Sequence, residues 1–251
     1  MADALVYLYA VTDADAPEPD VEEGVDGAPV RRVGTGRLAA VVSSVDAVRF
    51  GEDALKRSLE DVQWLEATAR AHHGVVDAAA LAGPVAPVRM ATVYLDDSRV
   101  RALLTDSAAA FTAALDRVRG RVEWGVKGFA VAPDAPRDPE PDPGSGTGPG
   151  ASYLARRLAE RRRAAHGHEA ALEAAEAAHR ALAATSLASR RYPPQDPRLS
   201  GRREEMVLNA AYLVKTEGAL RQVVEEHTGR GLRLELTGPW APYSFATLEE
   251  P

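Results

Sequence analysis

The run from Pro133 to Gly150, PDAPRDPEPDPGSGTGPG, constrains the fold of this 251-residue chain more than any other feature. It carries almost no apolar side chains and is crowded with proline, glycine and acids. Burial cannot offset the entropy of ordering such a segment, so it reads as an exposed linker. A single hydrophobic core cannot run through it. The chain therefore divides into an N-terminal domain over residues 1–132, a linker over 133–150, and a C-terminal domain over 151–251. Apolar residues make up 45 % of the whole, enough for a sizeable core.

In the N-terminal part, Leu5 to Val11 mixes β-branched and aromatic residues and predicts a strand. After a polar loop from Thr12 to Gly27, Val30–Val33 and Leu38–Ser43 flank Gly34-Thr35-Gly36 as a hairpin. From Glu52 to Leu81 the period becomes helical. Leu55, Leu59, Val62, Leu65, Ala69 and Val76 share one apolar face, and Gly83-Pro84 stops the helix. Val85 to Leu95 predicts a strand interrupted at Pro87, and Asp97 to Val118 a second helix with Val100, Leu103, Leu104, Phe111 and Leu115 inward. Arg121 to Val131 is expected to close the sheet. The order predicts an α+β domain, a ferredoxin-like antiparallel sheet with helices on one face.

The C-terminal part is also expected to be α+β. It opens with a long Ala-rich helix over Ser152–Ala184, with Ser152 as its cap. Leu154, Leu158, Ala165, Leu172, Ala175 and Leu182 recur on it at threes, fours and sevens, and the small residues of that stripe permit close packing of another helix. A turn region at Pro193-Pro194 precedes a strand over Glu204–Lys215, a helix over Glu217–Glu226, and a strand over Leu232–Leu236. The tail TGPWAPYSFATLEEP is too rich in proline for either regular element.

Several classes of chemistry find no support. The chain has no cysteine, which removes disulfides, thiolate metal sites and cysteine nucleophiles. Its formal net charge of -7 argues against general nucleic-acid binding. The arginine clusters at Arg156, Arg157, Arg161, Arg162, Arg163 and at Arg202, Arg203 read as solvated helix or loop faces. No apolar run approaches the roughly 20 residues that cross a bilayer, and the N-terminus has no signal-peptide pattern, so a cytoplasmic, non-membrane protein is expected. Gly34-Thr35-Gly36 is too short for a nucleotide loop.

Two histidine features are candidates for metal or acid–base sites. His72 and His73 lie about 100° apart on a helix, flanking its apolar stripe, which suits core-edge packing better than one shared metal. Glu176-x-x-His179 matches half of a carboxylate di-metal motif, and the sequence holds no second copy. No cofactor, metal or catalytic residue is expected.

Four further segments are unlike generic core: VRMATVYL (88–95), EWGVKGF (123–129), GASYLARR (150–157) and TGPWAPYSF (237–245). With LVYLYAV (5–11), Trp64-Leu65, His72-His73 and MVLNAAYLV (206–214), their ordered set resembles the gas vesicle GvpF/GvpL family. The resemblance spans nearly the whole chain apart from the linker. It implies two α+β domains, the first ferredoxin-like, and a non-enzymatic, chaperone-like accessory factor of gas vesicle assembly. The implied partner is the small hydrophobic shell protein GvpA, with other accessory Gvp proteins beside it; the alternatives are a minor structural component of the shell and a metal-dependent enzyme. The candidate contact aromatics are Trp124, Tyr153, Trp240 and Tyr243, with burial in the core as the competing role of each.

Overall fold

The computed structural model describes residues 4–131, 149–195, 204–229 and 231–246. The linker up to Gly148 lies outside them. The fold is α+β, with antiparallel pairing, in two compact units: residues 1–123 together with 239–251, and residues 124–238.

The first unit is built on β1 (Ala4–Asp13), β2 (Val30–Thr35), β3 (Leu38–Asp46), β4 (Val85–Pro87) and β5 (Val93–Tyr94). Its sheet runs β2-β3-β1-β4, with β5 also on β1. The hairpin is tighter than expected: Thr35 pairs with Leu38, and Gly36, the first of two turn residues, supplies a φ of 58° that a side chain would disfavour. Every residue from Val6 to Val11 is buried, so both faces of β1 are covered.

Both long helices that periodicity predicted are broken, the first at a side-chain cap. The first divides into α2 (Glu52–Ser58) and α3 (Val62–Ala82), with a separate short helix, α1 (Ala47–Phe50), before it. The Asp61 carboxylate accepts from Gln63 N at 2.9 Å and starts α3 afresh. That restart rotates the buried face. Val76 is buried as expected, but Leu59 and Val62, expected inside, are exposed, and Thr68, His72, Val75 and Ala79 are buried instead. The second becomes α4 (Asp97–Asp106) and α5 (Ala108–Val118), with Val100, Leu104, Phe111 and Leu115 buried as expected. Tyr7, Tyr9, Val41, Val45, Phe50, Val75, Val76 and Ala79 form one core cluster between sheet and α3.

The strand β6 (Val122–Ala130) does not close that sheet. It lies in a second one, ordered β7-β8-β6-β9, with β7 (Ala188–Arg191), β8 (Met206–Val214) and β9 (Leu232–Trp240). Gly128 makes the close fit possible: a Cβ there would stand 2.9 Å from Leu208 Cβ and 3.1 Å from Leu234 Cδ2. The β7 strand, ASRR, has no apolar alternation to announce it. Backbone pairing seats it against β8, Ala188 opposite Leu213 and Arg191 opposite Ala210. The long helix α6 (Pro149–Ala184) starts three residues before Ser152, with proline first, and packs on β8 and on α7 (Gly218–His227). The tail is more regular than its prolines suggest. Edge strand β9 tolerates Pro239 and runs to Trp240, and α8 (Tyr243–Ala246) follows.

Candidate functional site

The tail is fixed to the first unit by polar contacts rather than by regular structure. Ser244 donates its backbone N–H to Glu123 Oε2 at 2.9 Å and its hydroxyl to Glu123 Oε1. Both residues are buried, so the carboxylate's charge is offset by bonds stronger than neutral ones. Arg117 donates to the Phe245 carbonyl at 3.2 Å, and Ala241 and Phe245 are themselves buried. The Tyr243 ring packs edge-on against His73, centroids 5.5 Å apart, and at 6.5 Å from His72.

This anchoring leaves the Trp240 side chain outward. Trp240 is 52 % exposed and walls a cleft of about 280 Å³, whose other sides are Ala80 and Gly83 at the end of α3, Pro84, Val118, Val122 and Pro242. The lining is mainly apolar. Arg121 stands at its edge, donating to the Arg117 carbonyl.

Beneath the tail lies a buried polar chain. Ala91 N–H donates to the Tyr7 hydroxyl at 2.9 Å, and that hydroxyl lies within hydrogen-bond distance of His72 Nδ1, 3.1 Å away. Burial, and then the neighbouring His73, push the His72 pKa down to about 4, which keeps the ring neutral at physiological pH. Ala91 has a φ of 64°, rare for a residue with a Cβ, and the Tyr7 bond holds it there. Tyr9 continues the pattern, donating to Ser43 Oγ at 3.0 Å and accepting from Val25 N at 2.8 Å. Tyr7, Tyr9 and Ser43 each have a hydrogen-bond partner, whereas the buried His72 Nε2 has none within hydrogen-bond distance among the described residues.

The two histidines therefore do not straddle the core edge. His72 is fully buried at the centre of the face and His73 is exposed, with ring centroids 5.9 Å apart. Glu176 and His179 also separate in role. Glu176 pairs with Arg191 at 2.7 Å, which lowers its pKa, and His179 Nδ1 lies 2.8 Å from the Tyr212 hydroxyl. Among the described residues no three His, Asp or Glu side chains converge as a metal site.

Of the four aromatics singled out in the sequence, the structure brings Trp240 and Tyr243 together on the tail. Tyr153 is 52 % exposed near the start of α6. Trp124 is only 6 % exposed, with the Arg221 guanidinium 5.4 Å from its ring centroid. Sequence reasoning missed Glu123, Ser244 and Tyr7. The one available signal was an acid inside a strand pattern at Glu123, which periodicity alone reads as solvent-facing.

Residues 5–247 match the family described as gas vesicle synthesis protein GvpL/GvpF. The chain belongs to the GvpL/GvpF family. Gas vesicle protein L of Streptomyces sp. (strain CB03234) is 42 % identical over 252 residues, covering 99 % of this chain and 95 % of that protein. The fold is shared with the crystal structure of GvpF from Anabaena sp. PCC7120, with a TM-score of 0.66, 20 % identity and 98 % of both chains covered. GvpF from Microcystis aeruginosa matches with a TM-score of 0.63, 20 % identity, and 98 % and 100 % of the two chains covered. No helix among the described residues is long and apolar enough to cross a membrane.

Proposed function

We propose that this GvpL/GvpF family member is a non-catalytic assembly factor that holds the hydrophobic shell protein GvpA during gas vesicle formation, using the cleft beside Trp240. The observation that carries this reading is an indole left half in solvent at an apolar cleft, on a tail otherwise anchored by buried bonds. A fold that fixes Ser244 and Phe245 but leaves Trp240 outward preorganises a contact residue, and preorganisation reduces the entropy lost on binding. Tryptophan combines large area with one donor, which suits a small apolar partner. A shell subunit that must present apolar surface to gas would aggregate if left uncovered. Tyr243 helps to seat the tail through His73, and Tyr153 is a second exposed aromatic. Trp124 braces its own sheet. On this reading the protein is cytoplasmic and associates with gas vesicles, and other accessory Gvp proteins are further partners.

The test is co-purification of the full chain with GvpA held soluble. Trp240→Ala, and Ala80→Arg to fill the cleft, should each reduce captured GvpA by about tenfold or more while circular dichroism stays unchanged. Undiminished capture by both variants would remove the cleft from the interface. No capture by the unaltered chain would remove GvpA.

A further inference from the structure

The helix α6 behaves as two different helices. From Ala171 onward it buries Ala171, Ala175, Ala178 and Leu182, whereas every described side chain from Tyr153 to His166 is exposed. At about 100° per residue, Leu154, Leu158, Ala165 and Leu172 fall in one row, roughly a quarter turn from the buried face. That row stays uncovered along its length, with Leu158 at 51 % and Leu172 at 45 % exposure. Spacings of four, seven and seven are those of a helix-pairing seam.

Charge reverses along the same helix. The first half carries Arg156, Arg157, Arg161, Arg162 and Arg163 against Glu160, and the second carries Glu169, Glu173 and Glu176 against Arg180. Glu176 is taken by Arg191, while Glu169 and Glu173 remain exposed. A leucine row that is basic at one end and acidic at the other is complementary to itself when reversed.

We propose that this face of α6 docks antiparallel against the same face of a second copy of the chain, as a two-fold dimer with Ala165 at the axis. In this register Leu158 meets the second copy's Leu172, and the reverse. Arg162 and Glu169 lie on the same flank of the row, within about 20° of each other in projection. Antiparallel packing brings like flanks together, so each Arg162 faces the second copy's Glu169. A parallel pair would set arginine against arginine. Nucleic acid would satisfy the arginines but leave the leucine row and Glu169 without partners.

The chain's lack of cysteine makes the register directly testable. Under mild oxidation Ala165→Cys should cross-link with itself, and Leu158→Cys should cross-link with Leu172→Cys in a mixture but not with itself. Sedimentation velocity of the unaltered chain should show a concentration-dependent dimer that weakens between about 50 and about 500 mM salt. Arg162→Glu and Glu169→Arg should each weaken it by about tenfold, and the two together should restore it. These positions are exposed, and circular dichroism checks that each variant is folded. A chain monomeric at roughly 100 µM overturns the proposal. So does a dimer unmoved by Arg162→Glu, or one in which Leu158→Cys cross-links with itself as readily as Ala165→Cys. A monomer that instead retains an acidic protein or nucleic acid through the arginines also overturns it.

Discussion

The β6 segment around Trp124 and the tail around Trp240 are built from similar parts: an indole, a nearby glycine and a strand. They differ in what lies on either side. β6 is flanked by β8 and β9, so its side chains meet neighbours in both directions, and Gly128 lets Leu208 and Leu234 close over it. β9 is an edge strand and Trp240 its last residue, and the ring is about half exposed. The same residue type is therefore a brace in one place and a surface in the other. Position in the sheet decides this, and the side chain does not.

The comparison is broken most directly at Trp124. Trp124→Ala should cost about 3–5 kcal/mol, because it empties a site that Arg221 and the second sheet cannot close, and a urea midpoint measures it. Trp124→Phe should cost far less. The Trp124 Nε1–H is buried with no hydrogen-bond partner among the described residues, so deleting that donor relieves a cost. An alanine variant as stable as the parent would mean that Trp124 is no brace.

A second difference is electrostatic, and it sharpens the contrast from the tail side. The tail is seated over His72, whose pKa lies near 4 in the folded protein against about 6.5 in the unfolded chain. Between these values the unfolded state binds a proton that the folded state refuses, so stability rises with pH. Its contribution is full above about pH 6.5 and is lost as pH falls towards 4. The loss should be of the order of 2–3 kcal/mol. His72→Gln should flatten the slope of stability against pH in that window while lowering stability at pH 7, since Gln cannot fill the ring's place between Tyr7 and Tyr9. A slope unchanged by the substitution would assign the acid sensitivity to other groups.

These cases also show how much was legible in the sequence. The strands β1, β3, β8 and the start of β9 announce themselves through β-branched and aromatic runs, and the length of α6 through its alanines. The burial of Leu104, Phe111 and Leu115 follows from spacing alone. What spacing could not show is where a helix restarts. Asp61 is one residue, yet its cap turns the buried face from Leu59 and Val62 to Thr68 and His72. Nor does local pattern reveal long-range pairing. Assignment of β6 to the first sheet failed because a strand's own residues do not name its neighbours, and β7 was missed because an edge strand held by backbone bonds needs no apolar side chains. At the candidate site Trp240 and Tyr243 were readable as aromatics in a proline-rich tail. Their anchor, Glu123, was not, since its partner Ser244 lies 121 residues away.

The smallest expected effect on stability is at Trp240, and it carries the comparison furthest. Trp240→Ala should change unfolding free energy by less than about 0.5 kcal/mol, because the ring already has half its surface in water and the tail is held by Glu123, Ser244 and Arg117. In thermal melts that is a shift of about 2 °C or less. The same variant is expected to lose most of its GvpA. A residue whose removal leaves the fold intact but abolishes capture acts as a contact surface, whereas one whose removal lowers both in proportion acts through folding. If Trp240→Ala instead destabilised the protein as much as Trp124→Ala, the tail indole would be a second brace, and its exposure would reflect the shape of the cleft rather than a partner.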